Sequence, residues 1–259
     1  MGPYLAAVWR YRYFWLSLVK MDLETRYRRS LLGVGWSLLN PLVLTAILYT
    51  VFHGLFVANQ PNYALYVLSG LVVWNFIAGT TIQGCHCFLH AEAYIRQQPS
   101  PLIIFPLRTA LGGLVHFLAA LVIVMAVTGF TQGLPRFEAL LCLAPGLLLL
   151  FALSWCAALL AGFANVFFRD TEHLAQVAFQ VLFYATPIIY PAETLEQVHM
   201  GSLADYNPLA AFLRLLREPL YDRVPEWTTF ATAGGTVALL ALAAAVVTRR
   251  WQRQLIFHL

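Results

Sequence analysis

A chain of 259 residues that is 60% hydrophobic and 11% charged, with a mean hydropathy of +0.70, has too little polar surface to remain in solution as a folded domain. Its net charge of +4 and pI near 9.0 would suit nucleic acid, but the arginines stand at the ends of apolar runs, where membrane topology places them, so no nucleic-acid partner is expected. Four scattered cysteines, Cys85, Cys87, Cys142 and Cys156, exclude a disulfide framework, and the sequence reads as an all-α polytopic membrane protein.

The N-terminal region carries Arg10 and Arg12, then an uncharged segment at 13–19 that is too short for a signal-peptide core. Leu16, Val19, Leu23 and Tyr27 recur at helical spacing, with Lys20, Glu24 and Arg28 on another face, which predicts an amphipathic helix on the cytoplasmic surface of the membrane. Arg26, Arg28 and Arg29 then mark the threshold of the first crossing, because an arginine at the bilayer centre would cost about 2.5–3.5 kcal/mol. Gly33 and Gly35 supply an elbow, Trp36 suits the interface, and Pro41 is tolerated near the start of a membrane helix.

Residues 30–91 hold no formal charge, which is room for two spans, 37–58 and 63–84, with a turn at Asn59, Gln60, Pro61 and Asn62. A polar segment at 85–99, with Glu92 and Arg96 in it, returns the chain to its starting side. Cys85, His86, Cys87 and His90 fit no common zinc spacing, and no metal is expected there. Charge-free runs at 109–135, 139–168, 173–192 and 227–248 each suffice for one crossing, making six. Arg10, Arg12, Lys20, Arg26, Arg28, Arg29, Arg96, Arg169, Arg249, Arg250 and Arg253 then share one side, against Arg136, Arg214, Arg217 and Arg223. The imbalance predicts cytoplasmic termini. The whole chain, 1–259, is one transmembrane domain: interface helix and elbow at 1–36, spans one to five at 37–190, an external segment at 191–226, span six at 227–248 and a cytoplasmic tail at 249–259.

Small residues recur every four positions in span four (Ser154, Ala158, Gly162) and span six (Ala233, Val237, Ala241, Ala245), faces that suit close helix packing within or between subunits. In the external segment Thr194 and Gln197 fit a capping box, and Asn207 before Pro208 fits an N-cap with proline at the first helical position. Leu209, Phe212, Leu213, Leu216 and Leu220 make an apolar face, with Arg214, Arg217 and Glu218 expected away from it. Two short helices at the outer rim are expected, placed to close an exit.

Catalytic patterns are missing. The single lysine, Lys20, lies in LVKMD, so the phosphate-cradling G-x-x-x-x-G-K-[ST] does not occur, and any ATP must bind another chain. There is no H-E-x-x-H, no G-x-S-x-G and no lone carboxylate inside a span. Asp170 and Glu172 in FFRDTEH are expected to cap the next helix rather than to serve catalysis with His173. Aromatic residues of the spans offer faces that stack on sugar rings, with Tyr49, Phe52, Tyr184 and Tyr190 the favoured candidates.

TRYRRSLLGVGWSLLNPL (25–42), FPLR (105–108), NVFFRDTEHL (165–174), FYATPIIYP (183–191) and YNPLAAFLRLLREPLY (206–221) together resemble the permease subunit of ABC type-2 polysaccharide exporters, the O-antigen, capsule and teichoic-acid export permeases. The resemblance covers nearly the whole chain in order. It implies a homodimer of six-span subunits in the bacterial cytoplasmic (inner) membrane, paired with two copies of an ATP-binding subunit. The cargo would be an undecaprenyl-diphosphate-linked or similar lipid-linked polysaccharide. No cofactor is expected on this chain; ATP and Mg belong to the partner. By the resemblance, Leu32 and Gly33 form an elbow loop, with Arg26, Arg28 and Arg29 placed to meet a lipid phosphate. A coupling segment at 85–98, including Glu92, Tyr94 and Arg96, would dock on the ATPase. Segments at 195–200 and 209–221, the latter with Phe212, Leu213 and Leu216, would be periplasmic gate helices. Where many members have an Arg-Asp pair and a lysine, this chain has Met21-Asp22 and Glu24.

Two other readings compete. One keeps the permease plan but moves a drug or a lipid; the other is a membrane-embedded enzyme acting on polyprenyl lipids, for which only the 170–173 turn offers an acid or base.

Overall fold

The computed structural model describes residues 8–28, 30, 33, 35–56, 62–97, 100–191 and 207–259, and all regular structure among them is helical. In chain order the helices are α1 (Arg12–Tyr27), α2 (Gly35–Phe56), α3 (Tyr63–Gly84), α4 (Glu92–Gln97), α5 (Ile104–Thr131), α6 (Phe137–Phe167), α7 (Thr171–Ala185), α8 (Pro208–Leu220) and α9 (Trp227–His258). Helices dominate because a chain leaving water must satisfy its backbone N–H and C=O groups within the segment itself.

Four helices, α3, α5, α6 and α9, are long and apolar enough to cross a membrane, and α2 adds the shorter apolar stretch Leu38–Phe52. At 28, 31 and 32 residues, α5, α6 and α9 exceed the length that spans a hydrocarbon core of about 30 Å. α9 continues through His258, so Arg249, Arg250 and Arg253 extend the helix rather than ending it. Charge limits how deep a helix sits in lipid, not how far it runs. The run expected to be the fifth crossing is helical only over the 15 residues of α7, after which the chain turns at 186–190 around Pro187.

α3 is the axis of the fold. It packs on α5 and α6 and also meets α2, α7 and α8, and 83% of its most apolar stretch is buried, against 11% in α9. Close approach at its end requires glycine: a Cβ on Gly84 would stand 2.5 Å from the Ala158 Cα, and one on Gly162 would stand 2.8 Å from the Gly84 carbonyl oxygen. The small-residue row of α6 is therefore spent inside the subunit, against α3. Its counterpart in α9 is not one packed face, since Ala233 is fully buried and Ala241 is exposed.

Two apolar cores result. The larger joins α3 to Phe117, Leu150, Ile188, Phe212 and Leu215; the smaller joins Phe88, Ile104, Phe105, Leu159, Phe163 and Leu255 to Leu18 of α1. Within α1 the buried residues are Leu18 and Val19, whereas Leu16, expected on the buried face, is 49% exposed. A helix lying at a membrane surface has apolar surroundings on two sides, lipid as well as protein, so apolar spacing alone does not select the face that packs.

α8 opens as its sequence requires. The Asn207 side chain accepts a hydrogen bond from the Leu209 N–H at 2.9 Å, and Pro208 fills the first helical position. The expected polar face, however, is corrected in one respect. Arg217 is only 7% exposed, inside the core with Phe212, Leu213, Leu215 and Leu216, while Arg214 stays outside. Arg217 stays buried because its guanidinium finds backbone carbonyls there.

Candidate functional site

On the side where α1 ends, the chain gathers its polar groups between helices. Arg26 and Tyr27 close α1 beside His116 of α5. The Arg26 guanidinium can only donate, so His116 Nε2 accepts from it at 3.4 Å, and Nδ1–H then donates to the Tyr27 oxygen at 2.9 Å. Arg26 and His116 border a cavity of about 280 Å³ between α1, α2, α3 and α5, which Asn40, Asn75, Thr80 and Gln83 also line. Also joining α1 to α5, Asp22 holds Arg108 through both carboxylate oxygens, Arg108 Nε donating at 2.5 Å. Asp22 is thus engaged by protein rather than left to meet a ligand.

Of the intake residues named from sequence, Arg26 reaches the cavity, Arg28 is exposed just past α1, and Gly33 has φ of +51°, the left-handed conformation of an elbow, its N–H donating to Ser30 Oγ at 3.1 Å. Arg29 and Leu32 lie outside the described residues.

The turn at 85–91 and α4 form a second surface. Glu92 and Arg96 pair across one helical turn at 2.9 Å, and Tyr94 meets the edge of Phe14 from α1 with centroids 5.8 Å apart. The interface helix and α4 thereby meet through an aromatic contact. His86 is 2.7 Å from Glu172 Oε2 and stacks on His90, tying the end of α3 to the start of α7. Glu172 therefore serves this bridge, and Asp170, at the N-cap position, makes no side-chain capping bond. Thr171 instead closes that turn with its own hydroxyl on the Phe168 carbonyl at 2.6 Å. Cys85 and Cys87 are buried free thiols, and among the described residues no three His, Cys, Asp or Glu side chains gather as a metal site.

At the opposite end, α8 presents Phe212, Leu213 and Leu216 inward, all nearly fully buried. Arg217 fixes that helix: Nη1 donates to the Pro187 carbonyl at 2.6 Å, Nη2 donates to those of Tyr66 and Ile188 at 3.0 Å, and the cation lies 3.7 Å from the Tyr66 ring centroid. Tyr66 O–H also donates to the carbonyls of Pro187 and Tyr190 at 3.0 Å. α3, the turn at 186–190 and α8 thus share one polar knot. Sequence reasoning missed it, because Arg217 stands in the sequence beside Arg214 and Glu218 and its spacing groups it with them on the polar side of α8. Outside the knot, Asp222, in the left-handed region at φ 59°, accepts from the Arg136 N–H at 2.8 Å and Nε at 2.9 Å. The Arg136 backbone N–H, with the guanidinium behind it, holds that carboxyl below its usual range. The segment at 195–200, with Thr194 and Gln197, lies outside the described residues.

The aromatic candidates divide. Tyr184 is 65% exposed on α7 and Tyr49 is exposed on α2; Phe52 packs partly against the core, and the Tyr190 hydroxyl donates to the Tyr184 carbonyl at 2.5 Å. α7 has no buried residue at all within the single chain, although it exposes Leu174, Val177 and Val181.

Apolar helices longer than a bilayer core, polar groups set between them and no constellation for covalent chemistry among the described residues define a multi-pass membrane protein. The chain belongs to the ABC-2 type transporter family, whose profile matches residues 13–221. It is similar to an O-antigen export system permease protein RfbA of Myxococcus xanthus, 28% identical over 256 residues, covering 97% of this chain and 94% of that one. It is also similar to permeases of the same description from Klebsiella pneumoniae, 27% identical over 204 residues and 28% over 205, each covering 78% of this chain and 77% of the relative. Membership makes the protein a membrane subunit of a transporter.

Proposed function

We propose that the chain is the channel-forming subunit of an ATP-driven exporter that carries O-antigen or a closely related lipid-linked polysaccharide across the bacterial inner membrane. The observation that carries this reading is the end-to-end match to the Myxococcus export permease. A six-pass subunit with cytoplasmic termini follows from the distribution of arginine, with α2 and α7 each contributing to a crossing. Two copies form the conduit, because α7 exposes apolar residues that a single chain leaves uncovered. ATP and Mg bind a separate subunit, consistent with the absence of a phosphate-binding loop in the sequence.

In this reading Arg26, Arg28 and Arg29, with the elbow at Leu32 and Gly33, meet the diphosphate of an undecaprenyl carrier. The α4 surface, Glu92, Tyr94 and Arg96, takes the push of the ATPase and passes it to α1 through the Phe14–Tyr94 contact. Tyr49, Phe52, Tyr184 and Tyr190 offer ring faces to the moving sugars. α8, through Phe212, Leu213 and Leu216, closes the periplasmic exit. The test is co-expression with the ATP-binding subunit. A two-plus-two assembly whose ATP turnover rises with lipid-linked glycan supports the reading. An assembly that answers only to small amphiphiles would make the protein a drug or lipid permease.

A further inference from the structure

α3 is buried or half-buried at every position except two, and both exceptions, Asn75 and Gln83, are amides. Gly79 stands midway between them, so the three share one helix face at four-residue spacing. In a span so thoroughly enclosed, the solvent-facing positions would be the natural place for leucine or valine if acyl chains lay against them, since an amide in hydrocarbon leaves its donors and acceptors unmet. The same wall carries Thr80, 3% exposed, whose Oγ1 has no hydrogen-bond partner. Gly113 of α5 keeps that hydroxyl clear, because a Cβ there would stand 2.6 Å from it. Asn40 faces this wall from α2, and Arg26 with His116 stands beside it, all on the one cavity of about 280 Å³.

Three amides and a hydroxyl, each able both to donate and to accept, match the hydroxyl groups of a sugar, and the adjacent guanidinium, which only donates, matches an anion. The volume is at the low end for ligand pockets, enough for one ring and its phosphoryl group but not for a chain of sugars. We propose that this cavity is a binding site for the first sugar of the cargo and its phosphoryl link, with Asn40, Asn75, Thr80 and Gln83 on the sugar and Arg26 on the phosphate. The proposal rests on the export reading above and adds to it a recognition site between the helices, beyond the surface arginines. Cargo would be selected here by the sugar next to the lipid, before any of the polymer meets the aromatic residues.

The experiment titrates the complete transporter, chain plus ATP-binding subunit, with two short isoprenyl diphosphates, one bearing a single sugar and one bare. The natural chain is expected to bind the sugar-bearing probe about tenfold more tightly, the worth of one or two net hydrogen bonds. The pair Asn75→Leu with Gln83→Leu should abolish that preference while leaving the bare probe's affinity unchanged, and Thr80→Val, nearly isosteric, should reduce it in part. Equal affinity of the natural chain for both probes overturns the proposal, as does a preference that survives both variants. Loss of assembly in the double variant also overturns it, by making the amide face a subunit contact. Failure of glycan to stimulate ATP turnover while the sugar preference holds would instead sink the export reading and leave the site standing.

Discussion

Replacing Arg217 with methionine keeps an unbranched apolar stem and removes the charge and all the donors. Three carbonyls, those of Tyr66, Pro187 and Ile188, lose a charge-assisted partner, and the Tyr66 ring loses a cation 3.7 Å from its centroid. Little water can replace them, since Ile188 is fully buried and Tyr66 nearly so. Each of these hydrogen bonds comes from a charged donor and is worth about 1.5–3 kcal/mol, and because the Pro187 and Tyr66 carbonyls keep the Tyr66 and Ser69 hydroxyls as donors, the net cost is about 3–5 kcal/mol. The loss falls on the joint between α3, the 186–190 turn and α8, so it should appear as easier local opening there rather than as uniform destabilisation. At about 1.4 kcal/mol per factor of ten, even the lower figure predicts roughly hundredfold faster amide exchange over residues 186–190. Hydrogen exchange read by mass spectrometry in lipid nanodiscs measures this directly. Arg217→Lys, which keeps the charge but not the fork, should fall between. Exchange within about threefold of the natural chain in Arg217→Met would refute the view that this cation pins the exit helix.

Three further outcomes follow from the same geometry. Gly84→Val should cost about 1–3 kcal/mol or more and lower the melting temperature of the solubilised protein, because its Cβ meets the Ala158 backbone, whereas Gly112→Ala, with nothing within 4 Å, should be tolerated. Asp22→Asn should destabilise measurably in a chemical-unfolding series, since Arg108 is only 14% exposed, while Lys20→Gln should change stability by less than about 0.5 kcal/mol, its pair with Glu24 being 3.7 Å apart and largely in solvent. Asp222 has a folded pKa depressed below 3.8, so its contribution is complete above the unfolded value and disappears as pH falls through the folded one. An acid-side loss of the α6–α8 tie, read from exchange at 136 and 222, should accordingly be present in the natural chain and missing in Asp222→Asn.

Much of the fold was legible because charge is expensive in lipid. The limits of the second predicted span, 63–84, coincide with α3, and the charge-free runs at 109–135, 139–168 and 227–248 each contain the body of one long helix. The seventh helix was overestimated for the same reason: absence of charge extends past the point where Pro187 ends the helix, and hydropathy does not register a turn whose carbonyls are met by a distant arginine. Arg217 was assigned to the polar face because sequence spacing shows which residues share a side but not what stands opposite. Its partners are 29, 30 and 151 residues away. The elbow at Gly33 and the cap at Asn207 were recoverable, being local. Two amides eight apart in a charge-free run were visible as well, and their meaning appeared only when every neighbour on α3 proved enclosed.

That enclosure bears on how the protein is made. α3 is the least apolar of the four long spans, and it carries Ser69, Thr80 and Thr81 as well as its two amides. Handed alone to the bilayer, it would partition poorly, and the α5 and α6 surfaces that shelter it are synthesised after it. Its residence beside the insertion machinery must therefore last until those later segments emerge, so biogenesis of this subunit should be paced by the wait of the first of its four long spans for companions.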